Sequence, residues 1–237
     1  MSLYKITPLH LGDITRPKSN MIYGYEGKDV HDFPLIAYYL EGEHKLLVDT
    51  GGSAPDSGPG KKAAPYKRPP EQEIDRALRA IGVSPDDIEY VILTHLHWDH
   101  AGNNHFFPNA KMFCQKSELD GLDIPVNAQK GYDIEYVKSF HYELIDGDRQ
   151  LFDGISVVLA PGHTPGMQCI IAETESGKAV LSGDLITLRE SIAYVPPRFN
   201  ALLYDVSAAE TAQKSLEKVL AISGLILPGH DRAVFAP

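Results

Sequence analysis

Thr94-His95-Leu96-His97-Trp98-Asp99-His100 follows Tyr90-Val91-Ile92-Leu93, a short apolar run rich in β-branched and aromatic residues that reads as a buried strand. Ala101-Gly102-Asn103-Asn104 comes next and suits a tight turn or a helix start. Three imidazoles and a carboxylate are thus crowded into six residues at the end of a strand. Imidazole nitrogen and carboxylate oxygen are the donors that borderline divalent metals prefer. Local hydrogen bonding would account for one histidine in a polar loop, but not for four ligand-type residues at H-x-H-x-D-H spacing. The stretch is read as a metal site. His95 and His97 lie two apart and share a side if strand geometry carries that far. Asp99 and His100 follow where the chain turns, so one metal can take the first pair and a second metal the other. Each metal then needs further ligands from elsewhere in the chain.

Upstream, residues 3–11 and 34–40 read as strands, the second leading through Glu41-Gly42-Glu43-His44 into Lys45-Leu46-Leu47-Val48. Between them, 12–33 is polar but carries Met21, Ile22, Tyr23, Tyr25 and Phe33, which suits either a loop packed on the core or an apolar wall for a substrate. His10, His31 and His44 read as surface or turn residues. Asp49-Thr50-Gly51-Gly52 places a carboxylate at a strand end before a sharp turn, a position from which it can support a site without touching the reactant. Ser53 to Pro70 is expected to be a long exposed loop. A helix over about 71–81 follows, with Ile74, Leu78 and Ile81 at helical spacing and Gly82 closing it.

Downstream, Lys111-Met112-Phe113-Cys114 reads as a strand, 117–143 as a mixed helical and irregular region, and 151–159 as a hairpin. That hairpin ends at Ala160-Pro161-Gly162-His163-Thr164-Pro165-Gly166, a histidine in a Pro/Gly-rich turn directly after a strand. Strands over 167–172 and 178–181 lead to Ser182-Gly183-Asp184, again a carboxylate at a strand end. Ser207-Ala208-Ala209-Glu210 reads as a capping box opening a helix to about Ile222. Leu225-Ile226-Leu227 is a last strand before Pro228-Gly229-His230-Asp231. The strand-end polar residues are therefore His95, His97, Asp99, His100, His163, Asp184 and His230, and a dinuclear site is the economical explanation for seven of them.

The bulk numbers agree with a soluble globular protein. The 237 residues, 43% hydrophobic and 23% charged, allow one large domain or two small ones, and a single domain spanning 1–237 is expected once the resemblance below is taken into account. The formal charge of −10 argues against a nucleic-acid or anionic-membrane partner; a small-molecule substrate is the partner expected from the resemblance described below. Cys114 and Cys169 are expected to be buried free thiols. No basic n-region with an apolar segment opens the chain, and no apolar run approaches the ~18 residues of a membrane span. A cytoplasmic location is expected.

These motifs together resemble the metallo-β-lactamase superfamily, from Asp49-Thr50-Gly51 through the central stretch and Gly162-His163-Thr164-Pro165-Gly166 to Ser182-Gly183-Asp184 and Gly229-His230. The resemblance implies an α/β fold, a four-layer αβ/βα sandwich, with two divalent metal ions between the edges of its central sheets. It implies that His95, His97 and His163 hold the first metal and that Asp99, His100 and His230 hold the second, with Asp184 bridging. Zinc suits an all-nitrogen-and-oxygen donor set, with manganese, iron or cobalt as alternatives. The implied chemistry is attack of a metal-bridged hydroxide on a lactone or ester carbonyl, with Asp99 and Asp184 as catalytic residues.

Within the superfamily, His97 replaces the glutamate of diiron oxygen-reducing members, and the ligand set lacks the cysteine of a major β-lactamase group. Seven residues after His230 leave no room for the helical extension of glutathione thioesterases. The N-acyl homoserine lactone lactonases are the most similar branch. Those lactonases usually carry a tyrosine three residues after the bridging aspartate, where this chain has Thr187; Tyr194 and Tyr204 read as core or surface tyrosines, with a place in the site as the alternative reading. The competing readings are the same metal hydrolase acting on another ester, thioester, amide or phosphoester, and a non-catalytic binding protein on the same scaffold.

Overall fold

Alternate residues of one long strand face two different cores, and that alternation sets the layering. In the computed structural model, which describes residues 1–56, 58–62, 65–124 and 131–236, this strand is Val30–Glu41. Its Ile36, Tyr38 and Leu40 pack into the layer between two sheets, while Leu35, Ala37 and Tyr39 face an outer helical layer.

Among the described residues, β1 (Lys5–Pro17), β2 (Val30–Glu41), β3 (Lys45–Val48), β4 (Tyr66–Lys67), β5 (Tyr90–Ile92), β6 (Lys111–Gln115) and β7 (Tyr142–Ile145) form the first sheet, ordered β4-β1-β2-β3-β5-β6-β7. The second contains β8 (Arg149–Phe152), β9 (Ile155–Leu159), β10 (Gln168–Thr174), β11 (Gly177–Leu181) and β12 (Leu225–Leu227), ordered β12-β11-β10-β9-β8. Ile170 and Ala172 of β10 meet Ile36 and Tyr38 in the central layer, and Cys169 and Ile171 turn outward to a helix. The helices are α1 (Gly58–Lys62), α2 (Ile74–Ala80), α3 (Trp98–Ala101), α4 (Lys116–Leu122), α5 (Ile134–Lys138) and α6 (Ala209–Leu220). Ile74 and Leu78 of α2 cover the first sheet; Ala212, Leu216 and Val219 of α6 cover the second. The layers run α, β, β, α, as expected.

Strand direction places the site. β3, β5, β6 and β7 are mutually parallel, and β11 is parallel to β12. β9 and β11 both run antiparallel to β10 and so share a direction. The carboxyl ends of β3, β5, β9, β11 and β12 therefore open onto one rim. Ligands of open α/β sheets gather outside the carboxyl ends of strands.

Three local expectations need correction. Residues 12–33 are strand at both ends: β1 and β2 run into the segment from either side, paired from Asp13↔Pro34 to Pro17↔Val30 past an irregularity at His10/Asp13. Polar side chains misled because one face of this ribbon is open to solvent. Ser53–Pro70 is not wholly loop, since it contains α1 and a strand pair, Asp13↔Lys67 and Ile14↔Tyr66. The capping box at Ser207 does not form; Asp205 Oδ1 accepts from the Ser207 amide instead, and α6 begins at Ala209 without a side-chain cap. Positions 125–130 of the mixed region and 57, 63 and 64 of the long loop lie outside the described residues. Cys114 and Cys169 are free and buried. Among the described residues, no helix is long and apolar enough to cross a membrane.

Candidate metal centre

All seven strand-end residues converge. His95 and His97 follow β5, Asp99 and His100 lie in α3, and His163 follows β9. Asp184 follows β11, and His230 follows β12. The ligand atoms form three overlapping groups, His95–His97–His163, His95–His100–Asp184 and Asp99–His100–His230, with atoms within 4.8 Å of one another in each. Asp184 stands between them. Its Oδ2 is 3.3 Å from His163 Nε2, while its Oδ1 is 3.3 Å from His100 Nε2 and 3.1 Å from His230 Nε2. Asp99 Oδ2 lies 4.0 Å from His230 Nε2. Gly229 permits this closeness: a Cβ there would stand 2.5 Å from the Gly183 carbonyl oxygen and 2.9 Å from Asp184 Oδ1.

The outer nitrogens of the imidazoles show what the inner ones offer. His163 Nδ1 donates to the Leu202 carbonyl at 2.6 Å, and His230 Nδ1 to the Pro34 carbonyl at 2.8 Å. His100 Nδ1 donates to Asp49 Oδ2 at 2.8 Å. The Thr94 hydroxyl donates to Asp49 Oδ2, so His95 Nδ1, 3.1 Å away, donates to Thr94 Oγ1. Those four bonds put the proton on Nδ1 and leave Nε2 as a lone pair aimed inward. His97 presents Nδ1, 3.1 Å from His95 Nε2 and 2.9 Å from His163 Nε2.

Lone pairs that converge in this way repel one another unless positive charge lies between them. His100 Nε2 and Asp184 Oδ1 are buried with no hydrogen-bond partner, as groups aimed at an ion would be. Tetrahedral ligation with metal–nitrogen bonds of about 2.0–2.1 Å puts nitrogens about 3.3 Å apart, close to the spacings found. The donor set fits divalent metal ions.

Electrostatics agrees. Burial holds His95 and His97 well below the usual histidine value, which keeps them neutral donors. Burial opposes charge at His100 too, but Asp184, Asp49 and Asp99 outweigh it and raise that histidine well above its usual value. At His230 burial is likewise outweighed, chiefly by Asp184. Burial of Asp184 is overridden in turn by His230, His100 and His163, which hold it well below the carboxylate range. The carboxylates demand positive charge between the imidazoles.

The supporting residues were only partly legible in the sequence. Asp49 does what its strand-end position suggested: held at φ 62°, it accepts from the Thr94 amide and hydroxyl and orients His100. Glu118, in the segment left unresolved by sequence, is fully buried under both histidine loops. Its Oε1 accepts from the Leu96 amide at 3.0 Å and Tyr132 hydroxyl at 2.9 Å, and its Oε2 from the Gly166 amide at 3.0 Å. Asn200 Nδ2 donates to Asp184 Oδ2 at 3.2 Å, and no sequence pattern announced it. His10, His31 and His44 lie outside the cluster, paired with Asp13, Asp29 and Glu89.

A cleft of about 610 Å³ opens above His97, Asp99, His163 and Asp184 of the converging set. Ile14, Tyr23, Tyr132, Leu202, Tyr204 and Val206 supply most of its walls. Another concavity of about 550 Å³, lined by Tyr4, Pro8, Lys178 and Leu225, lies at the opposite strand ends and contains no histidine. Thr187 is fully buried, its hydroxyl donating to the Met21 carbonyl at 2.5 Å, and does not reach the cleft. Tyr194 lies elsewhere, bonded to Glu190 and stacked beneath the Arg198 guanidinium, whereas Tyr204 lines the cleft wall.

Comparison with known proteins points the same way. The N-acyl homoserine lactonase of Bacillus cereus is 32% identical over 218 residues, covering 84% of this chain and 82% of its own. The N-acyl homoserine lactonase AiiB of Agrobacterium fabrum is 27% identical over 230 residues, covering 86% and 82%. The crystal structure of a Bacillus thuringiensis AiiA mutant with N-decanoyl-L-homoserine at its active site superposes with a TM-score of 0.82 at 27% identity, covering 99% of this chain and 96% of that one. A family model described as the metallo-beta-lactamase superfamily matches residues 35–230, all seven converging residues among them. On fold, ligand cluster and sequence alike, the chain belongs to the metallo-β-lactamase superfamily.

Proposed function

We propose that this protein is a dinuclear metal-dependent hydrolase that opens lactones, with N-acyl homoserine lactones as the substrate class. His95, His97 and His163 hold one metal, Asp99, His100 and His230 the other, and Asp184 is shared. The observation that carries this reading is the placement of Asp184, whose two oxygens face different histidine sets. The names of the relatives support the lactone assignment. Zinc is the proposed metal, because imidazole and carboxylate donors without thiolate suit it in compact, four-to-five-coordinate sites. The buried thiols support a reducing, cytoplasmic setting.

Bound divalent cations supply Lewis-acid polarisation of a carbonyl and a water of lowered pKa. The chain's own groups do the rest. The cleft walls place the acyl portion so that the lactone carbonyl faces His97, Asp99 and Asp184. Water oxygen adds to that carbonyl carbon, and the ring carbon–oxygen bond then breaks. Asp99, only partly buried at the cleft floor, takes the water proton on its carboxylate and returns it to the departing alkoxide. Glu118, Asp49 and Asn200 keep the donors in register through the reaction.

Metal analysis and a substrate panel test this together. Protein purified without chelators is expected to carry close to two divalent ions per chain and to open short- and long-chain acyl homoserine lactones, with His97→Ala losing metal and turnover. Full lactone hydrolysis by rigorously metal-free protein overturns the mechanism. Efficient cleavage of aryl esters, thioesters or phosphodiesters with no lactone opening overturns the substrate assignment alone.

A further inference from the structure

One cation in the cleft has no part in the metal cluster. Arg16 lies on β1, two residues from Ile14, so both side chains leave the same face of the strand and both line the cleft. A guanidinium has five N–H donors. Here its single protein acceptor among the described residues is the carbonyl of the adjacent Thr15, at 3.2 Å from Nη1. Among the described residues no carboxylate lies within ion-pair distance of Arg16. Arg68 and Arg76 pair with Glu73 and Arg232 with Asp13, whereas Arg79, Arg149 and Arg189, which also lack an ion pair among the described residues, are exposed to water, and Arg198 lies over the Tyr194 ring. Asp99 acts on Arg16 through space, but that carboxylate belongs to the metal ligand set.

The walls around Arg16 make its isolation significant. Ile14 is buried beside it, and Tyr23, Leu202 and Val206 add apolar surface. An alkyl chain filling such a cleft would further strip water from the guanidinium and give nothing back, which is unfavourable for a charge. An anionic group would supply the missing acceptors, in the paired geometry to which a guanidinium is suited.

We propose that Arg16 is a specificity-determining residue that receives a carboxylate carried on the acyl portion of the substrate, so that the preferred lactones are ω-carboxyacyl rather than simple alkanoyl derivatives. This rests on the hydrolase reading of the cleft and adds the polarity of its substrate. Arg16 contacts the substrate away from the bond that breaks. It therefore acts on binding that the ground state and transition state share, and its loss raises KM while leaving kcat for the same substrate little changed.

The test uses matched pairs: N-succinyl, N-adipoyl and N-suberoyl homoserine lactones against the butanoyl, hexanoyl and octanoyl compounds, with metal-loaded wild type, Arg16→Leu and Arg16→Lys. At the best chain length, wild type is expected to favour the carboxylated member by about ten- to hundredfold in kcat/KM, the range of a charge-assisted hydrogen bond. Arg16→Leu collapses that ratio through KM, and Arg16→Lys restores part of it. The wild-type preference also shrinks as salt is raised. A ratio near one at every length in wild type, or a ratio that Arg16→Leu leaves intact, overturns the proposal.

The same acids as 4-nitrophenyl esters separate this failure from failure of the lactone reading. If esters but not lactones are cleaved, the charged-to-neutral ratio still decides the role of Arg16. If neither class turns over, calorimetric binding of adipate and hexanoate to wild type and Arg16→Leu decides it by the same comparison. Unchanged thermal unfolding of the variants excludes misfolding as the cause.

Discussion

At the floor of the cleft, His95, His100, His163 and His230 are at most 5% exposed, and each has its outer nitrogen tied to a fixed acceptor. Along the wall, Tyr23, Leu202 and Val206 are 44%, 47% and 93% exposed, and Arg16 has almost none of its donors engaged. The floor is over-determined: moving one imidazole breaks a buried hydrogen bond as well as its place in the converging cluster. The wall is less constrained at Tyr23, Leu202 and Val206, whose exposed surface is covered only when something fills the cleft. The same fold can therefore keep its chemistry while the wall changes what it accepts. The two meet at Leu202, whose carbonyl anchors His163 while its residue lines the wall, and at the Tyr204 amide, which donates to the Gly162 carbonyl at 3.2 Å.

The largest effect should come from breaking the floor at its shared point. Asp184→Asn keeps the shape but removes the negative charge that faces three imidazoles. kcat is expected to fall about a thousandfold, with KM changed far less, the pattern of lost transition-state stabilisation. Metal content measured on the same preparation should drop as well. Normal rate and normal metal content would place Asp184 outside the reacting site.

Glu118 tests whether the floor depends on what lies beneath it. Glu118→Ala leaves the Leu96 and Gly166 amides and the Tyr132 hydroxyl without their acceptor, and should cost about 3–5 kcal/mol of stability and about ten- to hundredfold in rate. Glu118→Gln keeps one acceptor oxygen and should lose less. Its pH response has a definite sign. Burial raises the Glu118 pKa above the ordinary carboxylate value against the pull of its hydrogen bonds, so the folded state binds that proton more tightly than the unfolded chain. The associated stability is present in acid and lost as pH rises through the folded pKa. Denaturant unfolding should thus show the Glu118→Gln deficit shrinking as pH rises across that range; a deficit that grows would contradict the assignment.

The smallest effect belongs to the wall. Val206→Ser removes an exposed apolar contact without touching the floor, and should raise KM for long-chain substrates by about two- to tenfold with kcat nearly constant. Short-chain substrates should be unaffected, since they do not reach it. Equal losses on short and long chains would show that the wall and the floor are not separable.

Much of the floor was legible before any coordinates. His95, His97, Asp99 and His100 are adjacent in sequence, and His163, Asp184 and His230 each sit directly after an apolar run, so strand-end chemistry is written locally. The four-layer arrangement followed from the same runs together with the family resemblance. Asp49 could be anticipated for the same reason. Glu118 and Asn200 could not, because each acts on residues far away in the chain: Glu118 Oε2 on Gly166 at a separation of 48, and Asn200 on an aspartate across a loop; nor could Arg16, because only packing brings its strand to the cleft.

The strand through 12–17 was hidden because its polar residues face solvent on one side and the cleft on the other, a pattern that reads as loop until pairing with β2 is known. Thr187 stands where the resembling lactonases carry a tyrosine and Tyr194 was one possible substitute, and only packing shows Thr187 bonded to Met21 and Tyr194 stacked with Arg198. The order of the residues determined the donors and the strand ends that carry them, since both depend on neighbours in sequence. Which groups support those donors, and which face the substrate, was decided by tertiary contact alone. Orientation across a sheet or a loop depends on partners that no local stretch of sequence contains.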